Sequence, residues 1–234
     1  MRISRMFPLF GLVLTVGCAA VETTAAPTAA ILSTEFPSPT GAALPIEIPS
    51  QTATILPAAI PSPSPEIVMM IDDFEGTETF WTVCTDPECA DSSAVDVTLT
   101  ADHASHGKQA LKLNFKKNDR PKAVFYLQKT MDLSAGGAVR FDIFNPGTVD
   151  GVGFALTTGP DSIWYESDSV PVAEGKTTPL SFDLTAGNYK TLATNWEFRA
   201  SLAHLDNVTR LSIIIYPKAT GAVYLDNLRL VAAP

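Results

Sequence analysis

The chain has 234 residues, with 16 Lys and Arg against 25 Asp and Glu, which gives a formal net charge of −9. No Lys or Arg occurs between Phe7 and Gly107, and binding to phosphate requires a basic patch. The charge therefore argues against nucleic acid as a partner, and against anchoring on an anionic membrane surface by a polybasic segment.

The N-terminus has the features of a targeting segment. Arg2 and Arg5 precede an apolar stretch at 7–16 that is too short for a comfortable membrane span. Residues 14–19, LTVGCA, resemble a bacterial lipobox, in which the Cys becomes the lipidated first residue of the mature protein. This predicts a lipoprotein signal peptide over 1–18, lipidation of Cys18, and an exported protein anchored by its lipid in the cell envelope. Cleavage without lipidation stays open, because the lipobox pattern prefers an aliphatic residue where this chain has Thr15.

Residues 19–66 are predicted to form a disordered tether. Nine of the 18 Pro residues fall here, among Ala, Thr and Ser. Such a composition cannot bury a core, and Pro-rich chain favours extended conformations. The tether would hold the C-terminal domain away from the membrane.

Residues 67–234 are long enough for one domain with a sizeable core. Short runs rich in Val, Ile, Phe and Leu alternate with turn residues, which predicts an all-β antiparallel sandwich of the jelly-roll type. A short helical turn is predicted at 196–205. The predicted strands cover 67–74, 94–100, 109–116, 122–129, 137–144, 151–158, 162–168, 178–184, 208–216 and 222–231.

Cys84 and Cys89 flank a short turn-forming segment. In an exported protein such a pair is expected to be oxidised. A metal site would need two further soft ligands, and the nearest histidines, His103 and His106, lie in a separate loop. We therefore predict a disulfide in preference to a zinc site.

The first and last strands carry carboxylates that suit a hard cation. First and last strands of a sandwich often lie side by side, and this arrangement would bring Asp73, Glu75 and Asp226 together as an oxygen site for calcium. The alternative is that the acidic residues of the opening strand are solvated charges that deter edge pairing.

Four short motifs carry a family resemblance. They are DFEG at 73–76, ASHGKQALKL at 104–113, the apolar run at 208–216 and YLDNL at 224–228. Together they resemble the galactose-binding-like jelly-roll carbohydrate-binding modules of β-glucanases and mannanases. The resemblance implies a structural Ca²⁺ held by Asp73, Glu75, Asp226 and the carbonyl of Lys108.

Strand alternation separates a core side from an exposed side. Leu111, Phe141 and Ile213 are representative of the sides expected to face the core. The opposite sides show aromatic rings among hydrogen-bonding groups, a combination that suits sugar rings. The predicted ligand-binding residues are Tyr126, Gln128, Arg140, Trp164, Glu166 and Tyr216.

Catalysis has no positive support in the sequence. There is no Gly-x-Ser-x-Gly elbow, no free Cys for a Cys-His pair, and no phosphate-binding Gly-rich loop. Glu166 and Asp168 are the best pair for glycoside hydrolysis, but an ordinary solvated strand looks the same. The predicted function is non-catalytic binding of a polysaccharide such as β-glucan or mannan. The alternatives are an adaptor lipoprotein that binds an envelope protein and, less favoured, a small glycoside hydrolase.

Overall fold

The computed structural model describes residues 66–86 and 89–233. The predicted signal peptide, Cys18 and nearly all of the predicted tether lie outside these residues. Within the described part of the chain, no helix is long and apolar enough to cross a membrane.

The described residues form an antiparallel β-sandwich, as predicted. All ten predicted strands are present, each within two residues of its predicted bounds, and two short strands are added. The strands are β1 Ile67–Asp72, β2 Trp81–Val83, β3 Ala94–Thr100, β4 Ala110–Phe115, β5 Ala123–Met131, β6 Ala138–Asn145, β7 Val149–Thr158, β8 Ile163–Glu166, β9 Val170–Pro171, β10 Lys176–Asp183, β11 Val208–Pro217 and β12 Gly221–Val231.

Two six-stranded sheets make up the sandwich. Sheet A has the order β10-β6-β12-β4-β3, with β1 also paired to β12; sheet B has the order β2-β5-β11-β7-β8, with β9 also paired to β7. The first and last strands are therefore neighbours, as predicted, and they run antiparallel.

The core lies between the sheets and follows the predicted alternation. Leu111, Phe141 and Ile213 are fully buried in one apolar cluster. Phe154 of sheet B and Phe182 of sheet A stack with their ring centroids 5.2 Å apart, which joins the two sheets. Strand residues that do not point into this core form the outer faces of the two sheets.

The helical turn predicted at 196–205 is wrong. One short 3-10 turn, Leu192–Thr194, ends before this segment, and another, Leu205–Asn207, begins at its last residue. Asn195, Trp196 and His204 adopt positive φ angles of 55–61°, a left-handed conformation that does not continue a right-handed helix.

Candidate functional site

The outer face of sheet B brings together five of the six predicted binding residues. Tyr126 pairs with Ser212, Ser212 with Ala155, and Ala155 with Glu166, so one row of side chains crosses four strands. Directly paired residues project from the same face of a sheet. The row therefore places Tyr126 and Glu166 on one face, with the small side chains of Ser212 and Ala155 between them.

A second row runs beside the first. It contains Gln128, Arg210, Thr157 and Trp164 in the same order of strands. Tyr216 lies further along β11 and donates its hydroxyl to Glu166 at 3.4 Å. These five predicted residues thus come from three strands of one sheet.

Arg140 is not part of this group. It lies on β6 in sheet A and donates its Nε to Ser181 Oγ at 3.2 Å. Its placement with the other five residues was wrong, because alternation identifies the face of a strand but not the sheet to which the strand belongs.

A cavity of about 530 Å³ opens on the outer face of sheet B. Such a volume is within the range of small-molecule sites, which combine apolar walls with a few polar groups. We call the residues that define it the sheet B site. They are Lys122, Gln128, Trp164, Glu166, Trp196 and Arg210.

Glu166 is the buried polar centre of the sheet B site, with 2% of its surface exposed. Its carboxylate contacts Lys190 Nζ at 2.8 Å and Lys122 Nζ at 3.7 Å. It also accepts the indole N–H of Trp164 at 3.3 Å. Burial, together with the negative charge of Glu166, raises the pKa of Tyr216, so this phenol stays protonated and remains a donor to the carboxylate.

Arg210 organises the opposite side of the cavity. Its guanidinium lies over the ring of Tyr126, 4.3 Å from the centroid, and its Nε donates to Gln128 Oε1 at 3.0 Å. A further ion pair joins it to Asp86 at 2.9 Å. One ring face of Tyr126 is therefore occupied by Arg210, and Trp164 and Trp196 are the aromatic side chains that line the cavity.

The predicted disulfide between Cys84 and Cys89 is confirmed. It packs with Val124 on the outer face of sheet B, and Tyr126 and Trp164 contact this small cluster. The disulfide loop also carries Asp86, so it supplies the ion-pair partner of Arg210.

Sequence reasoning missed Lys122, Arg210 and Trp196. Arg210 shares the exposed side of β11 with Tyr216, and that alternation could have identified it. Trp196 lies in an irregular segment without periodicity, so no comparable signal pointed to it.

Two carboxylates of the predicted calcium site, those of Asp226 and Glu75, contact one loop. Asp226 lies where β12 stops pairing with β4 and starts pairing with β1. Its Oδ2 accepts the backbone N–H groups of Ser105 and His106, both at 2.7 Å, and the hydroxyl of Ser105 at 3.1 Å. Glu75 Oε1 accepts the N–H groups of Lys108 and Gln109 at 2.7 and 2.9 Å. Two carboxylates thus close the loop at 105–109.

Asp73 does not join Asp226 and Glu75 in a metal cluster. It lies beyond the end of β1, and its Oδ1 accepts the N–H of Glu75 at 3.2 Å. Across residues 66–86 and 89–233, no three Asp, Glu, His or Cys side chains are grouped so that they could hold a metal ion. N–H groups already contact one oxygen of Glu75 and both oxygens of Asp226, because Asp226 Oδ1 accepts the N–H of Asn227 at 2.6 Å. The residues therefore fit Ca²⁺ only through Glu75 Oε2, the remaining lone pairs of Asp226 and nearby carbonyls. Calcium at this loop stays a prediction.

A sequence comparison identifies the family. The model for the mannanase galactose-binding-domain-like family matches residues 72–194. The chain belongs to this family. No curated protein sequence matches this chain.

Solved structures share the fold of this family member. A family 11 carbohydrate-binding module from Clostridium thermocellum, solved with a β-1,3-1,4-mixed-linked tetrasaccharide, has a TM-score of 0.53 at 14% identity, covering 74% of this chain and 98% of that one. A family 11 module of the cellulosomal cellulase Lic26A-Cel5E of Clostridium thermocellum has a TM-score of 0.52 at 12% identity, covering 70% of this chain and 94% of that one. An exo-β-agarase has a TM-score of 0.52 at 14% identity, covering 70% of this chain and 25% of its own. At these identities, the similarity establishes the jelly-roll fold.

Proposed function

We propose that the domain is a non-catalytic module that binds a polysaccharide, such as a β-glucan or a mannan, through the sheet B site. The observation that carries the proposal is the cavity in which Trp164 and Trp196 lie beside Glu166, Gln128 and the two basic residues Lys122 and Arg210. Sugar rings have apolar faces that stack on aromatic side chains, and hydroxyls that need hydrogen-bond partners. Membership of a mannanase-associated family supports the same ligand class.

The contacts of the acidic residues favour binding over hydrolysis. Glu166 is occupied by two lysines, an indole N–H and a phenol, whereas Asp168 is exposed beyond the end of β8 and accepts the N–H of Ser169. Hydrolysis requires two carboxyl groups that face one another across the scissile bond. In this account Glu166 orients the groups that contact the sugar.

We further propose that the module is displayed at the cell envelope, with Cys18 lipidated and 19–66 acting as the tether. The test is membrane partition of the full chain expressed in a bacterium. The wild type should fractionate with membranes and Cys18→Ser should be released. Identical fractionation of both forms would contradict the anchor.

The binding proposal is tested by affinity gel electrophoresis of the purified protein in gels that contain β-glucan, mannan or other polysaccharides. Retardation without release of reducing sugar is expected. Trp164→Ala should cost about 1–3 kcal/mol of binding free energy, since it removes one stacking ring. Phe80→Ala is the matched control, because Phe80 is 79% exposed and does not line the cavity.

Two outcomes would favour a different function. The absence of retardation across the panel, with a specific envelope protein captured instead, would favour the adaptor. Release of reducing sugar that is lost in Glu166→Gln would favour the hydrolase.

A further inference from the structure

The segment at 189–200, which we call the rim loop, is fixed to the sheet B site. Tyr189 and Ala200 exchange two backbone hydrogen bonds, at 3.0 and 2.7 Å, which close the base of the loop. Glu166 and Lys190 exchange two more, at 3.0 and 2.9 Å. The rim loop is therefore attached to β8, the strand that carries Trp164.

The tip of the rim loop holds Trp196 in a backbone conformation that bulky residues rarely adopt. Asn195 and Trp196 have φ angles of 55° and 61°. Their N–H groups donate to Leu192 O and Thr191 O, both at 3.0 Å. Strained backbone of this kind persists where the surrounding structure enforces it, and it is concentrated at functional sites. These hydrogen bonds fix the backbone at Trp196, and half of the surface of this residue stays exposed.

Trp196 lies between two adjoining cavities. One is the cavity of the sheet B site, and the second has a volume of about 490 Å³. Ser162, Trp164 and Trp196 line both cavities and form their shared wall. The other walls of the second cavity include Ile163, Leu192 and Ala193, so its lining is largely apolar.

The charges at the first cavity are balanced within the protein. Lys122 faces Glu166, and Arg210 is paired with Asp86. The cations that line the cavity thus already have counterions, and the chain as a whole carries a net charge of −9. An acidic sugar would have to compete with these carboxylates, whereas a neutral sugar would not.

We propose that Trp196 divides the site into two subsites that bind successive units of one uncharged glycan chain. This inference rests on the proposed function and adds a ligand class to it, namely an extended neutral oligosaccharide in preference to a single sugar or a uronic acid polymer. One unit contacts the polar groups of the first cavity, and the next stacks over Trp196 and Trp164 in the second.

The test is calorimetric titration of the purified protein with two series of probes, mixed-linked β-gluco-oligosaccharides and β-manno-oligosaccharides, each from the monosaccharide to the hexasaccharide. In at least one of the two series, the affinity of the wild type should rise about tenfold or more with the number of sugar units, because longer probes add the second stacking contact. Trp196→Ala should lose that rise and bind the monosaccharide within about twofold of wild type. Trp164→Ala should weaken binding at every length.

Phe198→Ala is the matched control and should bind as the wild type does. Phe198 is on the same loop and is 42% exposed, but it lines neither cavity. Trp196→Phe keeps a ring and should restore the dependence on length, which separates loss of stacking from loss of folding.

Three results would overturn the inference while leaving the proposed function intact: an affinity that does not depend on length, wild-type binding of long probes by Trp196→Ala, or oligogalacturonate binding as tight as that of the neutral probes. If neither neutral series binds and polysaccharide gels show no retardation, the proposed function fails and the inference fails with it.

Discussion

Two carboxylates, one in each sheet, are equally buried and yet serve different purposes. Asp226 in sheet A and Glu166 in sheet B are each 2% exposed. Asp226 is satisfied by neutral donors, three from the loop at 105–109 and the N–H of Asn227. Glu166 is satisfied by two lysine ammoniums, an indole and a phenol beside an open cavity.

The two carboxylates differ in whether their hydrogen-bond partners are also able to contact a ligand. The backbone N–H groups at Asp226 are fully used in closing a loop, so this carboxylate acts on stability. The side chains of Lys122 and Lys190 remain 21–22% exposed while they contact Glu166. Groups of this kind can contact a ligand as well, so Glu166 is expected to affect both stability and binding.

The largest effect is expected at Asp226. Asp226→Ala leaves several donors without an acceptor, and it should lower the free energy of unfolding by about 3 kcal/mol. Chemical denaturation is the measurement. Asp73→Ala is the control, because Asp73 accepts one exposed hydrogen bond, and it should change stability by less than about 0.5 kcal/mol. A loss at Asp226 as small as that of the control would contradict the structural role.

Calcium bound by Asp226 and Glu75 would add to the stability that these carboxylates give to sheet A. An ion that binds only the folded protein, present at about one hundred times its dissociation constant, adds about 2.7 kcal/mol. A chelator should then lower the melting temperature, and excess calcium should restore it. Asp226→Ala and Glu75→Ala should each abolish the response. Superimposable melting curves in chelator and in calcium would leave the two carboxylates as loop-closing groups alone.

Glu166→Gln should affect stability and binding together. It keeps the shape of the side chain but deprives Lys122 and Lys190 of their shared counterion, which should cost about 2 kcal/mol of stability. Affinity gels should show weaker retardation in parallel. Asp168→Asn, at an exposed residue two positions away, should leave both unchanged. Wild-type binding by Glu166→Gln would remove the distinction between the two carboxylates.

The disulfide should contribute about 2 kcal/mol, because it closes a short loop. Replacing both Cys84 and Cys89 by Ser should therefore weaken the domain without unfolding it. Intact mass before and after reduction and alkylation checks the bond in exported protein, and denaturation checks its effect on stability. Two freely alkylated thiols in exported material would contradict this expectation.

The smallest effect is expected at Ser212, in the middle of the row that joins Tyr126 to Glu166. Its Oγ is buried without a hydrogen-bond partner among the described residues. Ser212→Ala loses no hydrogen bond, so the free energy of unfolding should change by less than about 0.5 kcal/mol or rise slightly. A loss above about 1 kcal/mol would indicate a bound water at this hydroxyl.

Alternation predicted most of the fold because each strand of a sandwich has one buried face. Leu111, Phe141 and Ile213 were assigned to the core from that pattern alone. Tyr126, Trp164 and Glu166 were assigned to exposed faces for the same reason, although Glu166 is covered by its lysine partners.

The remainder depended on contacts between distant residues. Nothing in the local sequence of Arg140 shows that β6 belongs to sheet A. The loop-closing role of Asp226 requires a segment about 120 residues earlier. The position of Trp196 is set by a left-handed backbone and by hydrogen bonds within the rim loop, which leave no periodic trace in the sequence.

The three tryptophans allow the most direct test of glycan binding at the sheet B site. Trp164 and Trp196 line the cavity, whereas Trp81 is buried in the core and donates its indole N–H to Asp72. We expect titration of the ¹⁵N-labelled protein with a mixed-linked β-glucan or a β-mannan oligosaccharide to shift the indole signals of Trp164 and Trp196 and to leave that of Trp81 unmoved. Binding that leaves the signals of Trp164 and Trp196 unmoved would contradict the account.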